Sequence, residues 1–496
     1  MLMRSIGKAI IVAIMAMALT TVGAYAQSTV MKLGMVLEPP HLDPTAGAAA
    51  AIDEIVYANV FEGLTRIDKT GAVQPSLATS WYISDDGLTY TFTLKSRVTF
   101  HDGEKFDSRD VKFSFERAMG PGSVNAQKGI FEPIEEVRAS DPETIIITLK
   151  RPTGAFLFNI GRGDAVIVSR KSADTNKTNP VGTGPFQFVQ WDKGSRVILE
   201  EFKNYQGETV HLTKVTFVFI SDPNTAISAM LAGDLDGFPL FPAPESLEVF
   251  TASDKFRVLV GTTEGETVLA TNNKKSPFND IRVRKAIAHT IDRWAIIEGA
   301  MFGYGTPIGS HFAPHHPYFV DTTATYPLDL DAAKKLMAEA GYADGFDATL
   351  KLPPPSYARR GGQIIASNLR EIGIRLELIN VEWAQWLEDV FTNKDYDLTI
   401  VSHVEPFDIG IYANPDYYFQ FDNEDFRSIM KQLGETTDEG GRRALLGYAQ
   451  DFLARHAVNG YLFQLAKTGV WNANIEGMWP NAPVEGNDLS QIFWTK

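Results

Sequence analysis

The sequence predicts an α/β protein of at least two domains with mixed β-sheets, and three observations carry that expectation. About 470 residues remain after an N-terminal leader, too many for one hydrophobic core, which stops growing near roughly 250–300 residues. From residue 280 onward helical and strand periodicities alternate. Residues 81–150 are instead rich in strands, so the sheets differ in kind along the chain.

Taken in order, the chain opens with Arg4 and Lys8, an apolar run from Ala9 to Leu19, and Ala24-Tyr25-Ala26. This is the pattern of a secretory signal, predicted to be cut after Ala26. The run is shorter than the roughly 20 apolar residues a membrane helix needs, and no later stretch approaches that length. Tyr90, Phe92 and Leu94 alternate with Thr89, Thr91 and Thr93, which predicts a strand with one buried face. Asp85-Asp86-Gly87 and Asp102-Gly103 supply turns on either side of it. Asp107 or Ser108 can cap a helix whose Val111, Ser114, Phe115 and Ala118 share a face. Thr144 to Thr148 reads as a further strand, and Asn-Pro-Val-Gly-Thr-Gly-Pro at 179–185 as a bend.

Farther along, Asp280 caps a helix with Val283, Ala286, Ile287 and Thr290 inward. Asp329 or Asp331 starts another with Ala333, Leu336, Met337 and Ala340 inward, stopped by Gly341. Gln363 to Ile372 is expected to be helical and ended by Gly373, with Ile374, Leu376 and Leu378 following as a strand. Tyr396 to Val401 reads as a buried strand. Leu445, Tyr448, Ala449, Phe452 and Leu453 stripe a late helix.

Zero cysteines remove disulfides, thiolate metal sites and cysteine nucleophiles together. Without Arg4 and Lys8, 44 basic residues face 61 acidic ones, a net charge of −17. Nucleic acid is therefore not an expected partner, and the acidity reads mainly as solubility. No GxSxG, HExxH, Walker lysine loop or GxGxxG at a helix start occurs, so no catalytic residue is assigned and no enzyme activity is expected. His311, His315 and His316 share a Pro-rich loop, but their spacing matches no closed zinc site, so no metal and no cofactor are assigned.

In open α/β sheets ligands sit beyond the carboxyl ends of strands, which directs attention to the loop after the 396–401 strand. There Ser402-His403-Val404-Glu405-Pro406-Phe407-Asp408 places His403, Glu405 and Asp408 within reach of a cationic group.

Several segments in fixed order resemble the extracellular solute-binding proteins of family 5, which serve peptide, nickel and opine ABC importers. They are PPHLDP (39–44), NVFEGLTRID (59–68), residues 76–117, NPVGTGPFQF (179–188), RVRKAIAHTIDR (282–293), DAAKKLMAEAGY (331–342) and NLREIGI (368–374). The resemblance implies a two-lobed periplasmic-binding-protein fold with an inserted subdomain in the first lobe. Residues 27–48, 182–265 and 480–496 would form the sheet domain of lobe I, 49–181 the inserted subdomain, and 266–479 lobe II.

It also implies that Trp383, in VEWAQWL, packs on the ligand, whereas Trp386 three residues on reads as core. His41 and Asp43, in the PPHLDP loop, would face the cleft. Leu352 stands where dipeptide-binding relatives carry a ligand-gripping arginine, which puts free-dipeptide binding in doubt. Arg359 could supply an anion contact instead, although a solvated helix start is the plainer reading.

The implied function is a monomeric periplasmic component that captures a peptide-like or opine-like small molecule and delivers it to an inner-membrane ABC permease. With no cysteine at the cleavage point, a lipid anchor is not expected. The alternatives are a nickel or metal-chelate binder of the same family and, more remotely, a secreted hydrolase.

Overall fold

A computed structural model describes residues 28–406, 408–436 and 438–495; the signal segment lies outside them. Among these residues an eleven-stranded mixed sheet runs through the molecule. Its strands follow the order Ile374–Asn380, Phe346–Leu352, Leu398–His403, Phe256–Thr271, Gly460–Asn472, Gly237–Phe238, Val30–Met35, Lys214–Phe219, Arg196–Glu201 and Phe186–Asp192, with Gly305–Pro307 paired beside Gly460–Asn472.

Two long antiparallel strands, Phe256–Thr271 and Gly460–Asn472, link the halves of this sheet. Their ladder is regular up to Thr262 and resumes at Glu266, leaving residues 263–265 as an irregularity in the middle. Such an interruption bends a strand and weakens its ladder locally. The sheet therefore changes course at one place, where two backbone segments run side by side.

Separate hydrophobic cores lie on either side of that place. One joins Leu33, Ile55, Phe61, Phe186, Val215 and Trp494. Another joins Leu269, Ile287, Ile297, Leu350, Ile365 and Ile400 beneath the helices Ile281–Thr290, Arg293–Met301 and Ser356–Arg370. A third fills the antiparallel sheet of Ala78–Ile83, Thr89–Leu94, Thr144–Leu149 and Ile134–Asp141. The helix Ser108–Met119 packs on it, capped by Asp107 with Asp110 closing a capping box. Tyr90, Phe92 and Leu94 are buried in that core, as their alternation predicts.

Asp280 and Asp329 cap their helices, and Gly341 and Gly373 take positive φ after theirs. The expected helix at 363–372 begins earlier, at Ser356 after Pro355, because Ala358, Gly361 and Gly362 continue the buried face of Ile365 and Leu369, and this packing overrides the poor helix propensity of the two glycines. The strand expected at 396–401 runs instead from Leu398 to His403, so Ser402 and His403 belong to the sheet rather than to the loop. Tyr448 is 54% exposed; Leu446, not Tyr448, shares the buried face of Glu439–Arg455 with Ala449 and Leu453.

At the 179–185 bend, a Cβ on Gly182 would lie 1.9 Å from the Val60 carbonyl oxygen and one on Gly184 2.4 Å from that of Asn59. Glycine is required there by backbone contact. No described helix is long and apolar enough to cross a membrane.

Candidate functional site

A cavity of about 180 Å³ opens beside the interrupted ladder. It sits beyond the carboxyl ends of three strands that have parallel neighbours, where α/β sheets place their ligands. Val36 and Leu37 follow the end of Val30–Met35, Ser356 and Tyr357 follow Phe346–Leu352, and Val404 follows Leu398–His403. Phe238, Leu240 and Phe241 add apolar wall from one half of the molecule, and Leu465 from the other.

Polar side chains interrupt these walls, and two of them carry a buried atom without a partner. Trp383 lines the cavity with its indole stacked flat on Trp386, ring centroids 4.9 Å apart and planes within 4°. Its Nε1 is buried without a hydrogen-bond partner. Trp386 donates from Nε1 to Thr399 Oγ1 at 2.9 Å and is core, as its position predicts. Across the cavity Glu485 also has a buried, unpartnered carboxylate oxygen. Burial drives its carboxyl well above the usual range. A buried polar atom without a partner costs about 1–3 kcal/mol, so both atoms are sites where a ligand gains by binding.

Glu54 and Lys467 are the other charged residues of the lining. Burial pushes Glu54 up to about 7, with Lys467 pulling the other way. Burial lowers Lys467 to about 8, opposed by Glu54. One acid and one amine, each near the pH at which it changes charge, face the same apolar space. The cavity thus offers both signs of charge, and nothing in its lining has the nucleophile-and-base arrangement of a hydrolase.

Of the sequence-derived candidates, Trp383 alone lines this cavity. His403, Glu405 and Asp408 come together next to it: each offers a donor atom within 4.8 Å of the others. His403 is buried and its Nε2 pairs with the Tyr418 hydroxyl at 2.8 Å. Burial, with His311 nearby, lowers it to about 3, which leaves it neutral. Glu405 is raised to about 7 by burial and by Asp408. Burial would raise Asp408 too, but His311 at 2.7 Å holds it below its ordinary value.

His41 packs against Gly47 and accepts from the Asp43 N–H at 3.3 Å; burial lowers its pKa. Asp43 is 1% exposed. It caps a turn through Thr45 N at 3.0 Å and pairs with Arg117 at 3.2 Å, so its carboxylate is spent on the fold. Arg359 reaches the Val381 carbonyl and Glu382, both at 3.3 Å, away from the cavity. Leu352 is core against Gly362.

Sequence reading missed Glu54, Lys467 and Glu485. A lone lysine inside the thirteen-residue, otherwise uncharged strand Gly460–Asn472 was the available signal for Lys467. Glu485, in a Pro-rich irregular segment, carried none.

Comparisons with known proteins agree on a single family. A sequence model of the bacterial extracellular solute-binding proteins, family 5, matches residues 72–426. Heme-binding protein A of Haemophilus influenzae is 31% identical over 345 residues, an alignment spanning 63% of this chain and 63% of that protein. Glutathione-binding protein GsiB of Salmonella typhi is 30% identical over 356 residues, 70% of this chain and 69% of that one. Among solved structures, the periplasmic binding protein DppA of Helicobacter pylori with peptide STSA superposes with a TM-score of 0.86 at 25% identity, covering 95% of this chain and 99% of that one. AgaA of A. tumefaciens R10 with agropinic acid gives 0.84 at 25% identity, covering 93% and 98%.

Proposed function

We propose, for a chain that belongs to the bacterial extracellular solute-binding proteins of family 5, the role of capture component of an ABC importer. Its cargo is a small peptide-like or opine-like molecule, held between two lobes in the periplasm and handed to an inner-membrane permease. The observation that carries this reading is the pair of unpartnered buried atoms, Trp383 Nε1 and Glu485 Oε1, on the lining of one apolar cavity.

The ligand class follows from the lining. Lys467 suits a carboxylate, Glu54 and Glu485 suit an ammonium or amide, and the apolar wall with Trp383 suits a short side chain. Relatives whose names specify glutathione, a peptide and agropinic acid support that class. Lobe I comprises 27–48, 182–265 and 480–496 with 49–181 inserted, and lobe II comprises 266–479, except that Trp471, Ile475 and Met478 pack in the core of Leu33, Phe61 and Val215 and so go with lobe I. The interrupted ladder at 263–265 is the hinge between them.

Binding favours the closed form only by the difference in ligand affinity between closed and open forms. No covalent step is involved, as befits a family of binding proteins.

Native mass spectrometry of the chain purified from its own periplasm tests the reading. The expected result is one small molecule retained per chain, which on re-addition raises the melting temperature as RT ln(1 + [L]/Kd) requires. A chain that retains nothing, or that consumes the re-added compound, overturns it.

A further inference from the structure

A second cavity, of about 350 Å³, lies at the seam between the segment proposed as the inserted subdomain and the sheet domain of lobe I. Glu62, Arg66 and Lys95 line it from the first, and Tyr205, Ser490 and Gln491 from the second. Seams of this kind are common places for ligands. The cavity shares no lining residue with the one that holds Trp383. Glu62 and Arg66 come from the NVFEGLTRID segment, none of which faces the solute cavity.

Local structure explains why these side chains meet. In the strand Thr65–Ile67 the two outer residues are buried, so the alternation turns Arg66 away from the core and toward the seam. The Tyr57 hydroxyl pins that strand, accepting from the Ile67 N–H at 3.0 Å and donating to the Gly161 carbonyl at 2.8 Å. Lys95 follows Thr89–Leu94 and is held by its backbone N–H on the Leu77 carbonyl at 2.8 Å. Asn59 fastens the C-terminal segment to the same place. Its Nδ2 donates to the Asn487 carbonyl at 2.9 Å and its Oδ1 accepts from the Leu489 N–H at 3.0 Å, which brings Ser490 to the cavity.

We propose that this cavity binds a small oxyanion, a phosphate or a carboxylate, between Arg66 and Lys95, with Ser490 as a third donor. The unspent groups of the lining are donors. Among the described residues, the carboxylate paired with Arg66 is that of Asp488, 3.8 Å away and beyond hydrogen-bond length. The Lys95 ammonium has no hydrogen bond or ion pair among the described residues. Ser490 Oγ is buried and has no partner, a state that costs free energy until an acceptor arrives. The carboxylates of the lining are already engaged: Glu62 Oε1 accepts from the Tyr205 hydroxyl at 3.1 Å, and Glu208 from Gln491 Nε2 at 3.1 Å. Burial also raises the Glu62 carboxyl above its ordinary value, against the pull of Lys95 and Arg66, so it opposes an anion only in part. A forked guanidinium beside a point-charge ammonium matches an anion with two or more oxygen atoms. Once bound, the anion ties the two parts of lobe I together across their seam.

The test does not require the cargo to be known. The full chain, in Tris buffer at low ionic strength, is titrated by calorimetry with inorganic phosphate and, separately, with succinate. One anion per chain, saturating below about 10 mM, is expected for at least one of the two, and the pair of titrations tells phosphate from carboxylate. Arg66→Gln and Lys95→Gln, at half-exposed positions, should each fold with native circular dichroism and weaken that uptake by about tenfold or more. Both should still retain the co-purified solute in native mass spectra. Uptake of neither anion by the folded wild-type chain overturns the site whatever the variants do. So does uptake that neither substitution changes, or a loss of retained solute in the same variants, which would merge this site with the solute cavity. A chain that captures solute but no anion defeats this inference and leaves the transport reading standing.

Discussion

Arg360 grips Glu245, with Nη1 2.7 Å from Oε2 and Nη2 on Oε1. The two residues stand on different cores. Glu245 belongs to the segment packed with Phe238, Phe241 and Phe250, and Arg360 to the helix whose Ala358 and Ile365 are buried in the second core. If the two cores belong to lobes that part on opening, as the proposed function requires, this bidentate guanidinium–carboxylate pair is made only in the closed arrangement.

Arg360→Gln should therefore weaken capture of the co-purifying solute without touching its contacts. The pair is partly exposed, at 32% and 24%, so the expected loss is modest, about three- to tenfold in affinity, or roughly 1 kcal/mol. Calorimetry checks it, and small-angle scattering should show a larger open fraction at subsaturating ligand.

Trp383 separates stacking from hydrogen bonding. Trp383→Phe keeps an aromatic face toward the cavity and on Trp386 but removes the unpaired Nε1 donor. It should cost about tenfold in solute affinity, and Trp383→Ala about a hundredfold. Equal losses in both variants would assign the contact to the Nε1 donor alone, and no loss in Trp383→Phe would assign it to the ring face.

His101 should make the fold acid-sensitive. Its Nδ1 accepts from the Gly182 N–H at 3.3 Å while its Nε2 bonds the Gly184 carbonyl at 2.9 Å, which leaves no room for a second proton. Burial lowers its pKa from 6.5 to about 4. The unfolded chain protonates first, so this contribution is complete above pH 6.5 and is lost as the pH falls toward 4, up to about 3 kcal/mol in all. Urea midpoints measured across that range should fall less steeply in His101→Gln than in the wild type.

The same bend supplies a steric prediction. Gly182→Ala drives a methyl group into the Val60 carbonyl oxygen, 1.9 Å from the added Cβ, and should destabilise by about 2–3 kcal/mol, read as a lower melting temperature. A replacement at Gly129, which has nothing within 4 Å of its Cβ and no positive φ, should cost less.

The elements legible in the sequence were those written in local chemistry. Asp107, Asp280 and Asp329 each announce a helix start, and each caps one. The threonine–aromatic alternation at 89–94 announces a half-buried strand and forms one. Trp383 was legible through family resemblance, and its place on the cavity wall agrees with the ligand role that resemblance implies. The partners of Asp43 and Arg359 were not legible, because sequence shows which groups a segment carries but not which partners fold back on them. Arg117 is 74 residues from Asp43 and Val381 is 22 from Arg359.

By itself, then, the sequence determined the helix and strand positions, the absence of cysteine chemistry, the acidic balance and the family, since each rests on neighbours a few residues apart or on motifs in fixed order. Tertiary structure alone decided that Glu54, Lys467 and Glu485 share a cavity with Trp383, and that Glu266 and His403 stand opposite one another on adjacent strands. Those relations join segments far apart in the chain. They arise from the crossing of two long strands, and no local pattern encodes them.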